Sequence, residues 1–198
     1  GLMKGIGVDY YVVPTDDFHA SECVGAYFDA RSWLSGFTGS AGTLLVGQEF
    51  AGLWTDGRYF LQASLQLEGT GIELMKMGVE GVPTLNQYLT EHLTGGMTLG
   101  FDGRCLSASF MEELQTSLKD TKIQVVYEKD LVGEIWEGRP ALSKKPAWFL
   151  EDENCGASFA EKLAVVREEM KKKGAEALLL TSLDDIAWLF NMRGDDIA

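Results

Sequence analysis

Apolar positions in this chain fall in short runs whose period changes along the sequence. Residues 9–14, Asp-Tyr-Tyr-Val-Val-Pro, predict a buried strand that stops at Pro14, which cannot donate to a ladder. Residues 43–46 and 51–55 predict two more strands, with Gly47-Gln48-Glu49 as the hairpin turn between them. From Gly57 to about Leu67 the period becomes helical, and Tyr59, Phe60, Ala63 and Leu67 share one face. Alternation follows: strand 72–77, helix 83–93 with Pro83 in its first turn, strand 97–101 and helix 107–118 capped by Ser107 or Ser109. A strand over 123–127 and a short helix over 130–136 complete the series. Strands separated by helices predict an α/β fold, a β-sheet flanked by helices, and the hairpin makes that sheet mixed rather than purely parallel.

Leu2-Met3-Lys4-Gly5 reads as the last turn of a helix with a glycine stop, so the chain is expected to begin inside something longer. A helical turn is expected over 31–35, before Gly36, Gly39 and Gly42 punctuate a tight connection. Over 137–157 the apolar period lapses, and Pro140 and Pro146 flank Ser143-Lys144-Lys145, which predicts an interdomain connector. Trp148, Phe149 and Leu150 are expected to pin it to a neighbouring surface. Ser158 then caps an amphipathic helix with Phe159, Leu163, Val166 and Met170 as its stripe, Lys171-Lys172-Lys173 against the macrodipole, and Gly174 as its stop. Residues 177–180 predict a buried strand and 184–189 a short helical turn.

This last stretch echoes the first. Lys4 through Trp33-Leu34-Ser35-Gly36-Phe37 corresponds to Lys173 through Trp188-Leu189-Phe190, with a longer insertion in the first copy. The expected organisation is a first domain over 1–136, the connector over 137–157, and an incomplete second copy over 158–198. One helix, one strand and a turn cannot bury a core alone, so the second copy is expected to dock on the first domain or exchange between two chains.

Composition is ordinary for a globular protein, 45 % apolar and 24 % charged, which argues against general disorder. No apolar run is long enough to span a membrane, and no charged segment followed by an apolar one reads as a secretory leader at its start. Thirty acidic against seventeen basic residues give a formal charge of −13, a surface that repels phosphate backbones, so neither nucleic acid nor anionic membrane is an expected partner. Cys23, Cys105 and Cys155 are scattered without metal-type spacing and read as reduced thiols.

Few residue patterns carry chemistry. The stretch Gly36-Phe37-Thr38-Gly39-Ser40-Ala41-Gly42-Thr43 looks like a phosphate loop but has no lysine before its last Thr and runs into a strand. Ser40 has Gly42 two residues after it but Thr38 where a nucleophile elbow needs the first glycine, and His19 and His92 are the two histidines available as bases. The two histidines lie far apart in sequence, and no metal site and no catalytic residue is expected within this chain. In Trp54-Thr55-Asp56-Gly57-Arg58 the ordinary reading is a corner, with Asp56 capping the next helix and Arg58 paired to a carboxylate. In Asn191-Met192-Arg193-Gly194-Asp195-Asp196 an arginine beside a glycine can project into a cleft and clamp a carbonyl or carboxylate; an ion pair with Asp195 or Asp196 is the ordinary alternative.

Several of these stretches occur in one order in a known family. Arg31-Ser32-Trp33-Leu34-Ser35-Gly36-Phe37-Thr38-Gly39-Ser40-Ala41-Gly42, Trp54 to Phe60, Leu74 to Gly78, Ile135-Trp136 with Arg139-Pro140, and Asp184 to Gly194 together resemble the three-domain cytosolic Xaa-Pro aminopeptidases, over essentially the whole chain. The resemblance implies two related N-terminal domains, creatinase/prolidase-like in fold, and a third, catalytic domain that holds two divalent metal ions, commonly manganese. In the family those ions activate the water that removes the N-terminal residue from peptides with proline in second position. No position of this chain matches the metal ligands, so the resemblance implies a non-catalytic region, inactive by itself, in a cytoplasmic enzyme that forms a homodimer and acts on proline-containing peptides. Covering domains suit a site that reads a short free N-terminus, and Trp188, Asn191 and Arg193 are the residues expected nearest the substrate. The alternatives are a binding or scaffold module that kept the fold without an enzyme half, and a creatinase-type hydrolase of another small molecule.

Overall fold

Six strands, Tyr10–Pro14 (β1), Thr43–Val46 (β2), Ala51–Thr55 (β3), Glu73–Lys76 (β4), Thr98–Phe101 (β5) and Gln124–Val126 (β6), form one sheet in the order β4-β3-β2-β1-β5-β6. This architecture is that of a computed structural model of the chain, which describes residues 1–21 and 23–195 and falls into two compact units, Gly1–Ala141 and Leu142–Ala198. The hairpin β2–β3 is antiparallel and β2 also pairs antiparallel with β1, with Val12 opposite Leu45. The outer pairs β3–β4, β1–β5 and β5–β6 are parallel, so the sheet is mixed, as the alternation of short and long connections predicts.

Strand alternation sorts the core into two layers. Val12, Leu45, Trp54 and Met75 face one side, where Leu85–His92 (α4) and Ala108–Ser117 (α5) cover them with Tyr88, Leu89 and Leu114. Tyr11, Val13, Leu44 and Leu53 face the other, under Phe60–Gln66 (α3) and Leu131–Ile135 (α6), with Leu2–Gly5 (α1) and Ala30–Ser35 (α2) at the margin. Each fully buried Leu or Val in these layers contributes roughly 1.5–3 kcal/mol. Polar ends are matched: the Trp54 indole N–H donates to the Pro83 carbonyl at 2.8 Å, and the Tyr11 hydroxyl donates to the Lys129 carbonyl at 2.6 Å.

Helix starts follow local chemistry with two departures. Ser107 caps α5, Asp130 caps α6, and Thr84 with Gln87 forms a capping box for α4, so Pro83 lies just outside that helix rather than in its first turn. Asp56 does not cap α3, which begins at Phe60; its carboxylate instead takes the Arg58 backbone N–H at 3.0 Å and the Arg58 guanidinium at 2.8 Å.

The second unit holds Phe159–Lys172 (α7), opened by a Ser158/Glu161 capping box, and Leu183–Phe190 (α8). Trp148–Phe149 (β7) and Met192–Arg193 (β8) pair antiparallel, with Trp148 opposite Arg193. The expected pinning by Trp148 and Phe149 is corrected: the segment is held by its backbone, and both side chains are exposed. The buried strand expected over 177–180 is also corrected. Those residues form no strand, and Leu179 is 85 % exposed. A strand persists only beside another strand that takes its N–H and C=O groups, and no neighbour lies there among the described residues.

Candidate functional site

The candidate site lies in the second unit, where α8 ends. Asn191 takes a left-handed backbone, φ 51°, immediately after the helix, and this reversal sends Met192 and Arg193 back into β8. Its side chain is 4 % exposed and held from both ends: Oδ1 accepts from the Lys162 ammonium, and Nδ2 donates to the Ala157 carbonyl at 3.1 Å. The Asn191 carbonyl accepts the Leu150 N–H at 2.8 Å, which aligns β7 against β8.

Lys162 lies on the inner face of α7, 7 % exposed. Its ammonium also donates to the Trp188 carbonyl at 2.9 Å and sits 5.0 Å from the centroid of the Trp188 ring. A cation is thereby placed against the C-terminal carbonyls of α8 and over an aromatic face, both favourable positions for it. Trp188 itself is 53 % exposed. Arg193 donates through Nη1 to the carbonyls of Met192 at 2.8 Å and Ala187 at 3.4 Å. Its expected alternative, an ion pair with Asp195, is not formed: Asp195 pairs with Lys145 at 2.9 Å and accepts from Ser143 at 3.0 Å. Those two donors hold the Asp195 carboxyl below the usual carboxylate range, Lys145 first. Asp196 lies outside the described residues.

These side chains border a cavity of about 710 Å³. Trp188, Asn191 and Arg193 all line it, together with Lys162, Lys145, Asp184 and an apolar wall that includes Leu150, Ile186 and Met192. The three expected site residues are thus brought together, although Asn191 offers its side chain to the protein and not to the cavity's contents. Lys162 was not an expected site residue. Its signal is a lysine flanked on the same helix face by Phe159, Leu163 and Val166, where an apolar residue is the rule.

Residues of the glycine loop and His92 do structural work. Ser40 shares a 2.6 Å hydrogen bond with the Tyr59 hydroxyl, while the His92 ring stacks on Tyr88 and contacts its carbonyl at 2.8 Å, so no nucleophile–base pair forms between them. Arg31, 2 % exposed, donates to the carbonyls of Phe37 and Gly39 and to Thr15 Oγ1 at 2.9 Å, which fixes the glycine loop from beneath. Among the described residues no three His, Cys, Asp or Glu side chains gather as a metal would need, so those residues do not fit the ions that the resemblance implies. No helix among the described residues is long and apolar enough to cross a membrane.

A mixed sheet under two helical layers, followed by a second unit with the same Trp-Leu turn, defines the class. The chain belongs to the creatinase/prolidase N-terminal domain family, whose models match residues 1–132 and 138–198. It is 44 % identical over 99 % of its length to a Chaetomium globosum protein called "Probable Xaa-Pro aminopeptidase P", and 40 % identical over 96 % of its length to a Drosophila melanogaster Xaa-Pro aminopeptidase. Among solved structures it is similar to the X-prolyl aminopeptidase of Caenorhabditis elegans, described as a cytosolic enzyme with a di-nuclear active site, at 36 % identity and a TM-score of 0.82 over 96 % of this chain. The chain spans about a third of these relatives: 32 % of the Chaetomium protein, 31 % of the Drosophila protein and 31 % of the Caenorhabditis chain.

Proposed function

We propose that this chain is the non-catalytic portion of an Xaa-Pro aminopeptidase and shapes the peptide's access to a metal centre held by other residues of the whole enzyme. One observation carries the reading: similarity to a protein so named runs along 99 % of this chain at 44 % identity, yet the chain accounts for 32 % of that relative. The description of the Caenorhabditis enzyme as cytosolic and di-nuclear supports a cytoplasmic enzyme with two divalent ions, manganese in this proposal. Such ions supply an activated water and polarise the peptide carbonyl before proline. The whole enzyme acts as a homodimer in this reading, which the apolar concavity lined by Leu163, Val166, Met170 and Leu180 supports.

Trp188 offers its exposed ring to the peptide, Arg193 donates to peptide oxygens, and Asn191 is a positioning residue that sets the turn between them. The purified chain is expected not to release arginine from Arg-Pro-Pro, with or without manganese, while the whole enzyme does. Metal-dependent release by the chain alone would overturn the proposal. In the whole enzyme Arg193→Ala is expected to lower kcat/KM about tenfold or more, the loss of one charge-assisted hydrogen bond, at unchanged Tm. Unaltered kinetics would remove Arg193 from the peptide's path.

A further inference from the structure

Lys162 is a buried cation whose direct partners among the described residues are all neutral groups. Its ammonium donates to the Trp188 carbonyl and Asn191 Oδ1 and lies over the Trp188 ring, all neutral partners, so among the described residues no carboxylate touches it. Buried ammonium groups are ordinarily matched by a carboxylate. Among the described residues neither Lys162 nor Arg193 forms an ion pair.

The surroundings compensate only in part. The C-terminal end of α8 carries the equivalent of about half a negative charge, against two full positive ones. Lys145 is already matched by Asp195. Asp184, the carboxylate on the cavity wall, stands in the first turn of α8, where the helix's positive end already favours it, and Asp152 reaches Lys162 only through Asn191, whose Nδ2 is 3.5 Å from Asp152 Oδ1. In a chain of formal charge −13 the cavity is thus lined by three cationic side chains, Lys145, Lys162 and Arg193, against the one carboxylate of Asp184.

We infer that this cavity binds the carboxy-terminal end of a short peptide, with Lys162 and Arg193 receiving the terminal carboxylate and the Trp188 ring the apolar side chain beside it. The guanidinium uses Nη1 on protein carbonyls, so its Nε and Nη2 donors supply the planar edge that carboxylates match. Leu150, Ile186 and Met192 favour an anion carried on an apolar residue over a bare inorganic anion, which would leave that wall wet. A volume of about 710 Å³ falls in the range of sites that enclose small ligands. The inference rests on the proposed function in that the same wall meets the peptide, but binding alone tests it.

The experiment titrates the 198-residue chain with Ala-Pro-Leu as the free acid and as its carboxamide, read by indole fluorescence and by backbone amide shifts of residues 187–194. The free acid is expected to bind at least tenfold tighter than the amide, with the largest shifts at Trp188 and Arg193. Arg193→Gln is expected to abolish the preference, and it stays informative because Arg193 is exposed and its loss spares the core. Lys162→Met is expected to do the same wherever circular dichroism shows it folded. Equal affinity for acid and amide, binding of neither, or displacement of the acid by an equimolar amount of inorganic phosphate would overturn the inference. Hydrolysis by the whole enzyme that ignores a terminal amide, together with equal binding here, would remove this inference and leave the proposed function standing. Acid preference in a protein whose whole form does not cleave Xaa-Pro bonds would do the reverse.

Discussion

At Asn191 the backbone adopts φ 51°, a conformation that costs most L-residues of order 1–2 kcal/mol and asparagine less. Replacement by alanine removes the acceptor for Lys162 and the donor to Ala157 while adding that backbone cost. Asn191→Ala is expected to destabilise the second unit by about 3 kcal/mol, and Asn191→Gly, which relieves the backbone alone, by about 2 kcal/mol, in urea unfolding followed by indole fluorescence. Asp56 provides a pH test. Its carboxyl, hydrogen-bonded by the Arg58 side chain first and the Arg58 N–H next, is lowered to about 2. A depressed carboxylate contributes stability that is present above its ordinary range and is lost as pH falls from about 4 towards 2. Asp56→Asn is expected to flatten Tm against pH in that window, and 0.5 M salt to shrink the effect because the pair is exposed. Thiols give a third test: burial raises Cys105 to about 12, whereas Cys23 is exposed. Iodoacetamide at pH 8 is expected to label Cys23 first and Cys105 last, read by peptide mass spectrometry. At this scale the site was half legible. Trp188, Asn191 and Arg193 lie close together in sequence, but Lys162 reaches Asn191 across 29 positions, a contact set by the packing of α7 on α8.

Elements were most legible where one signal sufficed. The strands Thr43–Val46 and Ala51–Thr55 stand where alternation and the intervening glycine turn put them. Ser107 and Ser158 cap the helices that they precede. The 177–180 segment was misread because four apolar residues satisfy the pattern of a buried strand, whereas the ladder needs a neighbour that no local pattern announces. The order β4-β3-β2-β1-β5-β6 was hidden for the same reason: register and adjacency are long-range properties. The two capping boxes are testable together. Thr84→Ala and Ser158→Ala are each expected to cost about 1 kcal/mol, the former in the first unit and the latter in the second, by denaturant midpoint. Glycine 39 is more severe, since a Cβ there would lie 2.2 Å from Phe37 Cζ and 2.8 Å from Tyr59 Cδ1, in the loop that Arg31 fixes.

The whole molecule pairs unequal units. The first has two apolar layers on a six-stranded sheet, whereas among the described residues of the second only Leu189, Asn191 and Lys162 are buried. Small units bury a smaller fraction of their surface and are correspondingly marginal. Amides of α7 are expected to exchange with solvent before those of β2 and β3 in native-state hydrogen exchange; equal protection would contradict this inequality.

The ladder between β7 and β8 joins residues near both ends of the second unit, so the segment from Phe149 to Met192 is a closed ring of chain. Closing a longer ring costs little, about 0.6 kcal/mol for each doubling of its length. Along that ring residues 177–180 carry no ladder, and 177–179 are exposed. A short glycine-rich insert there would lengthen the ring without disturbing the clasp, making it a place to graft a reporter on the protein.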